Sequence, residues 1–229
     1  MIARENQKTT RPRGRPKRLV DMDCSPRTTE LLVSAAIAQF ADHGFDGVSL
    51  RQIAASAGVD ASLIIHRFGS KLGLWQAAID QLADRLVTTL QEISNGAPTD
   101  IPPIERLDAY IHALVDVVCD TPELAAFILC EIVRQNDRSD YSHRRLVSPI
   151  RDYVYPLIAI ATDEEDAPDP DFLFFALTGA IVTSVAARQH LVRFSTAAED
   201  DQLFRETLRH SISVRVSARL GHHHRAAKR

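Results

Sequence analysis

In the stretch "TRPRGRPKRLV", residues 10–20, five cations (Arg11, Arg13, Arg15, Lys17 and Arg18) alternate with Pro12, Gly14 and Pro16. The prolines and the glycine forbid a regular helix, and an extended cationic strand of this kind suits a polyanion. Residues 1–18 hold seven Lys or Arg against Glu5 alone, which is +6, so a chain of net charge −3 leaves −9 on the remainder. An acidic body thus carries a basic arm. Residues 215–229 add Arg215, Arg219, Arg225, Lys228 and Arg229 with no acid, a second basic segment.

A second stretch, "LRQIAASAGVDASLIIHRF" at residues 50–68, has the residue types of a tight helix-turn-helix. Ala54 is small where two helices would touch, Gly58 is free to take positive φ in the turn, and Ile64 returns to the core. Such a unit lays its second helix in the DNA major groove while the first crosses the backbone. An ordinary helical corner would need the same three residues.

Catalytic arrangements are missing from the sequence: it contains no GxSxG, no GK[ST] phosphate loop, no GxGxxG and no HExxH. His222, His223 and His224 are adjacent residues in a basic tail and read as a polyanion contact or an incidental cluster. Cys24, Cys119 and Cys130 lack CxxC spacing, which predicts reduced thiols with neither a disulfide framework nor a metal site. Cys119 and Cys130 flank a helix break, and a redox-responsive pair is the minor alternative. The expectation is a non-enzyme with no cofactor and no metal.

The elements that must position these residues read as helices throughout. The first opens with Ser25 as cap and Pro26 in the first turn, carries Leu32, Ala35, Ala36 and Phe40, and ends at Gly44. Ser49 caps a second that Gly58 stops, and Asp60 caps a third. The fourth starts near Ser70, its apolar residues Trp75, Ile79, Leu82, Leu86, Leu90 and Ile93 keeping helical spacing to Asn95-Gly96. Further helices are expected from about Pro102, from Thr121-Pro122 to about Gln135, around Leu146 to Ile160 with Pro149 and Pro156 kinking or restarting it, from Asp169-Pro170 to about Val192, and from about Thr196 to Leu220. The fold class is all-α, with about nine helices. Its organisation is a basic arm over 1–24, a helix-turn-helix unit over 25–70, a larger helical unit over 71–220 and a basic tail over 221–229.

From "AAIAQFADHGFDGVSLRQIAASAGVDASLIIHRFGSKLGLWQAAI", residues 35–79, the chain resembles the tetracycline-repressor (TetR) family of one-component transcription regulators. The first helix ends in F-A-x-x-G-[FY], the second enters as [TS]-[VL]-R-x-I-A, A-G-V makes the turn, and H-x-F-x-S-K-x-x-L follows. The resemblance covers about a third of the chain, residues 27–80. It implies a dimeric repressor of a palindromic operator in double-stranded DNA, released by a small-molecule effector bound in a divergent helical domain. In one respect the sequence departs from the pattern: where many members have Leu-Tyr, this chain has Ile64-Ile65, so a phosphate contact from Tyr is lost and His66 or Arg67 is expected to replace it.

On that resemblance, Arg51 matches a position able to read guanine through bidentate hydrogen bonds. Ala61, Ser62, Ile65 and His66 would face the groove, Ile65 against a thymine methyl. Thr29, Ser49 and Lys71 would meet phosphates at helix N-termini, where backbone N–H groups and the dipole favour anions. Ser49 reads equally as a cap and Lys71 as a solvated side chain. The arm's Arg-Gly-Arg-Pro resembles an AT-hook, with Gly14 permitting close approach and Arg13 and Arg15 entering a narrow A·T-rich minor groove. A nonspecific phosphate contact is the plainer reading.

Polar residues on otherwise apolar helices are the pointers to an effector pocket: Tyr110, His112, Glu131, Arg134 and Gln135, with Trp75 and Phe127 as walls. Glu131 and Arg134, at i and i+3, are expected to form an ordinary surface pair. For a dimer interface, Gly179, Ala180, Ser184, Ala186 and Ala187 are small residues along the eighth helix, and Phe204, Leu208 and Ile212 step by four on the ninth. Both stripes could instead close the chain's own core. A DNA-architectural protein without effector is the rival to a ligand-responsive regulator, and the large apolar second half speaks against it. The longest apolar runs fall well short of the roughly 18 residues a membrane span needs, and the N-terminus is polar, so a cytoplasmic location is expected.

Overall fold

The computed structural model describes residues 25–96, 101–161 and 169–221. Arg13, Arg15 and the His222–His224 cluster lie outside the described residues. Every regular element described is helical, and no strand occurs among the described residues.

Local chemistry sets the first elements. Helix α1 (Pro26–Gly47) is capped by Ser25, whose Oγ accepts from the Thr28 N–H at 3.3 Å. Gly44 leaves helical geometry with φ +70° and ψ 170°, turning the chain where the sequence places the helix end. Helix α2 (Leu50–Ala57) starts in a reciprocal capping box: Gln52 N–H donates to Ser49 Oγ at 3.3 Å, and Ser49 N–H donates to Gln52 Oε1 at 2.8 Å. It stops at Gly58, left-handed at φ +71°, and the next residue's N–H returns to the Ala54 carbonyl at 3.0 Å. Helix α3 (Ala61–Phe68) begins at Asp60, which accepts from the Ser62 N–H at 2.8 Å.

Helix α4 (Lys71–Gly96) buries Leu74, Trp75, Ile79, Leu82, Leu86 and Leu90 on one stripe and joins the three-helix unit to the rest. Around it pack α5 (Pro103–Asp120), α6 (Pro122–Ile132) and α8 (Ser148–Ala161), then α9 (Pro170–Ala186) and α11 (Asp201–Gly221). One continuous core runs from Leu32 and Phe40 of α1 through Ile53 and Ile64 to Leu107, Leu124, Ile158 and Ile181.

The second half departs from the expected helices in three places. The sixth ends at Ile132 rather than near Gln135, and a short helix α7 (Asp137–Ser142) follows, capped by Asn136 at 3.0 and 3.1 Å. It leads into a π turn (His143–Val147), closed where Ser148 N–H bonds the His143 carbonyl, and then into α8. Pro149 lies just beyond; having no N–H, it leaves the preceding carbonyls without their usual donor, and the wider turn accommodates this. The expected eighth helix bends at Ala187 into α10 (Arg188–Leu191). The last begins at Asp201 rather than Thr196, because Thr196–Ala198 forms a separate 3₁₀ turn and Asp200 caps the helix through Leu203 N–H at 2.8 Å.

Phe204, Leu208 and Ile212, read as facing a partner, are 5%, 8% and 2% exposed within a single chain. They close this chain's own core, where α11 packs on α5, so the alternative reading of that stripe is the correct one. Arg205 and Arg209 of α11 reinforce the seam by pairing with Asp116, and Arg205 also reaches Asp120 at 2.6 Å. Gly179, Ala180 and Ser184 are half-buried on α9, and the exposed apolar residues beside them are Phe172 and Phe175, with Leu203 exposed on α11.

Candidate nucleic-acid interface and adjoining clefts

Within α3, Leu63 and Ile64 are buried, whereas Ser62, Ile65 and His66 are exposed at i, i+3 and i+4. One stripe therefore anchors the helix and the opposite stripe is free to meet a ligand. Ile65 is 50% exposed although Leu63 and Ile64 just before it are buried. Ala61 is half-buried at the start of the same helix. Hydrogen bonds from the Ser62 hydroxyl and N–H hold the Asp60 carboxyl below the usual carboxylate range, so Ser62 is partly committed to the cap.

Arg51 and Ser49 are exposed at the start of α2. Arg67 turns away from its α3 neighbours towards the opening of α1: its guanidinium donates to Thr29 Oγ1 and, at 3.3 Å, to the Ser25 carbonyl. Arg67 and Thr29, separate candidates in the sequence, form one unit at a helix N-terminus. Lys71, at the first turn of α4, holds its ammonium 4.5 Å from the centre of the Phe45 ring. Gly73 gave no signal in the sequence reading. A Cβ there would run into the Phe68 carbonyl oxygen and lie 3.2 Å from its carbon, so a bare glycine is what lets α4 start hard against the end of α3.

Two clefts adjoin each other in the second half. The first, about 140 Å³ and almost wholly apolar, lies between α6, the π turn, α8 and α9, walled by Ile128, Ile132, Val147, Ile150, Phe174 and Val182. The second, about 190 Å³, shares Ile128, Ile132 and Val147 with the first but adds Glu131, Arg134, Asp140, Ser142 and His143. Of the residues expected in an effector pocket, the structure brings Glu131 and Arg134 to this polar cleft.

Of the other five, Gln135 is exposed and lines neither cleft, and four pack elsewhere in the fold. Trp75, Tyr110 and Phe127 are at most 3% exposed and line neither cleft; Trp75 packs with its ring centre 6.4 Å from Phe127, 6.2 Å from Phe45 and 6.0 Å from Tyr141. Rings of this size contribute most when packed on one another in the core. His112 sits on the α5–α11 seam, Nε2 bonded to Ser213 Oγ at 2.8 Å. Nor do Glu131 and Arg134 form a surface pair. Glu131 is buried with Arg138 Nε at 3.7 Å, and Arg134 reaches Asp46 at 3.6 Å. Cys119 is half-buried, and burial pushes its thiol pKa up, which keeps it protonated and poorly reactive.

Ionic links run from the clefts to the three-helix unit. Arg138 of α7 stacks its guanidinium 4.3 Å from the Phe45 ring centre and faces Asp46 at 3.7 Å. Arg145, in the π turn, donates to Asp80 of α4 at 2.6 Å, and the Tyr141 hydroxyl donates to the same carboxylate at 2.8 Å. Burial, then the hydrogen bond to Asp80, raise the Tyr141 pKa. The segment that lines the polar cleft is thereby fastened to α4 and to the turn after α1.

Residues 32–78 match the family described as bacterial regulatory proteins, tetR family. Among curated proteins, the HTH-type transcriptional regulatory protein RaaS of Mycobacterium tuberculosis is 41% identical over 86 residues, 37% of this chain and 40% of its own length. The matched stretch thus spans well under two thirds of that relative. The HTH-type transcriptional repressor SCO4008 of Streptomyces coelicolor is 26% identical over 181 residues, covering 76% of this chain and 88% of the relative. Among solved structures, AibR in complex with isovaleryl coenzyme A and operator DNA superposes with a TM-score of 0.64 at 17% identity, over 82% of this chain and 96% of that one.

Proposed function

We propose that this chain, whose residues 32–78 match the bacterial regulatory proteins of the tetR family, is a sequence-specific DNA-binding regulator, a repressor that leaves its operator when a small molecule binds its second half. The observation that carries the reading is the exposed stripe Ser62, Ile65 and His66 on a helix fixed by the Asp60 cap behind a left-handed Gly58. A protruding helix of this kind fits the major groove, and Arg51 lies exposed on α2 to reach a base or phosphate. Arg67 with Thr29 and Lys71 would position the unit on phosphates.

The acting form is a homodimer, since a palindromic operator needs two heads about one helical turn apart. We place the shared surface on α9 around Gly179, Ala180 and Ser184, extended by the exposed Phe172 and Phe175 and by Leu203 of α11. The basic arm, through Arg13 and Arg15, extends the footprint into an adjoining A·T-rich minor groove. No described helix is long and apolar enough to cross a membrane, which supports work in the cytoplasm, where the DNA is. The named relatives are transcriptional regulators, which supports a role without catalysis.

Selection of bound duplexes from a random pool, by the full chain and by a truncated chain beginning at Asp21, tests this. A palindromic motif is expected from both, with A·T preference around it lost on truncation. Recovery of no motif from either chain would refute the reading.

A further inference from the structure

We propose that the two adjoining clefts form one site for a small amphiphile whose hydrocarbon part fills the apolar cleft and whose protonated amine head is held by Glu131, with Ser142 beside it. This rests on the reading of the second half as an effector-binding unit and specifies the effector's chemical class.

Glu131 is 4% exposed, and its Oε2 has no hydrogen-bond partner among the described residues. A buried carboxylate oxygen without a donor is costly, by several kcal/mol in general when the group stays ionised. Its Oε1 has Arg138 Nε at 3.7 Å, close enough for attraction but too long for a hydrogen bond. Ser142, also 4% exposed, lines the same cleft with its Oγ unpartnered among the described residues. Arg138 Nε is also without a hydrogen-bond partner among the described residues, so one unused donor stands beside the unused acceptor of Glu131 and the Ser142 hydroxyl.

Of the basic groups nearby, His143 lines the cleft, and both arginines already face acids. Arg134 donates from Nε to the Cys130 carbonyl at 3.1 Å and faces Asp46, and Arg138 faces both Asp46 and the Phe45 ring. Asp140 adds a second acid to the lining. An ammonium would supply several donors to Glu131 Oε2 and the Ser142 hydroxyl, whereas a carboxylate or phosphate head would meet Glu131 and Asp140 unfavourably. The shared wall of Ile128, Ile132 and Val147 makes the two clefts continuous for a molecule that is polar at one end only.

The same geometry supplies a response. Glu131 attracts Arg138, and Arg138 also holds Phe45 and Asp46 at the turn joining α1 to α2. An ammonium competing for Glu131 weakens that attraction, so Arg138 redistributes towards Asp46 and shifts its contacts with the three-helix unit. A ligand changes such an equilibrium only by its differential affinity for the two states, and here Glu131 is where that difference arises.

Titration calorimetry of the full-length protein with n-octylamine, octanoate and octanoyl-CoA tests the class without any knowledge of the operator. Octylamine is expected to bind once per chain, with affinity falling about fourfold for each methylene removed in the hexyl and butyl homologues. Glu131→Gln should weaken octylamine at least tenfold, and Ser142→Ala severalfold, in proteins whose thermal midpoints show that they are folded. Stronger binding of octanoate or octanoyl-CoA, binding of none of the three, or octylamine binding unchanged by Glu131→Gln would each overturn the proposal. If the random-duplex selection yields a motif while these titrations fail, the effector assignment falls and the DNA reading stands. If octylamine binds as described and no motif appears, the reverse holds.

Discussion

Gly73→Ala is the substitution most directly tied to how the groove-facing helix is aimed. The new Cβ would overlap the Phe68 carbonyl oxygen, a backbone atom with no rotamer to escape through, and sit 3.2 Å from its carbon, inside ordinary van der Waals contact. Relief requires the start of α4 and the end of α3 to part. Overpacking of this sort costs roughly 1–3 kcal/mol, and the better helix propensity of alanine returns at most about 1 kcal/mol. The net is a loss of about 1 kcal/mol, equivalent to a thermal midpoint lower by about 2–4 °C in a chain of this size. Gly96→Ala in the same helix, where an added Cβ meets nothing within 4 Å, should leave the midpoint unchanged or raise it. Operator binding by fluorescence anisotropy should suffer more than stability does, by about tenfold, roughly 1.4 kcal/mol, because α3 carries Ser62, Ile65 and His66. If Gly73→Ala matches Gly96→Ala in midpoint and binds the selected duplex like the parent, the close approach of α3 and α4 does not aim the helix.

Arg138→Ala leaves the buried Glu131 without its nearest cation and removes the guanidinium from Phe45. A loss of about 3–5 kcal/mol is expected in denaturant melts, largely recovered by adding Glu131→Gln, and additive losses in that double-mutant cycle would disprove the coupling. Gly179→Ala meets nothing within 4 Å inside one chain, so the monomer should gain up to about 1 kcal/mol from helix propensity. Analytical ultracentrifugation should nevertheless show a weaker dimer, and an unchanged dissociation constant would remove Gly179 from the interface. The Asp60 cap depends on pH because its folded pKa is lowered. Its contribution is complete above the unfolded value of about 3.9 and is lost as pH falls through the lower folded value, so the midpoint difference between parent and Asp60→Ala should shrink from pH 5 to pH 3.

What could be read from the sequence was what neighbouring residues decide among themselves. Ser25, Ser49 and Asp60 cap the helices they were expected to cap, and Gly44 and Gly58 turn the chain where their positions indicated, because each acts within four residues of itself. The signal for α7 is also present, since Asn136 and Ser139 are spaced as a capping pair, but its six residues carry no apolar periodicity to mark a helix. Glu131 shows where local rules stop. At i and i+3 it should have met Arg134, yet Arg134 serves Asp46, nearly 90 residues earlier in the chain, and Glu131 is buried by packing that spacing does not encode. Phe204, Leu208 and Ile212 show a related limit: periodicity identifies an apolar face but not which chain covers it.

Trp75 is the sole tryptophan of the chain and is 1% exposed. It touches Phe45, beside the turn that Arg138 holds, and Tyr141, on the segment that lines the polar cleft. The protein therefore contains its own optical reporter. With 295 nm excitation, about the wavelength that isolates indole, the emission comes from a single ring wedged between the parts that must communicate. Stopped-flow mixing can then follow, without any label, how quickly a signal entering at the clefts reaches the end of the molecule that meets DNA.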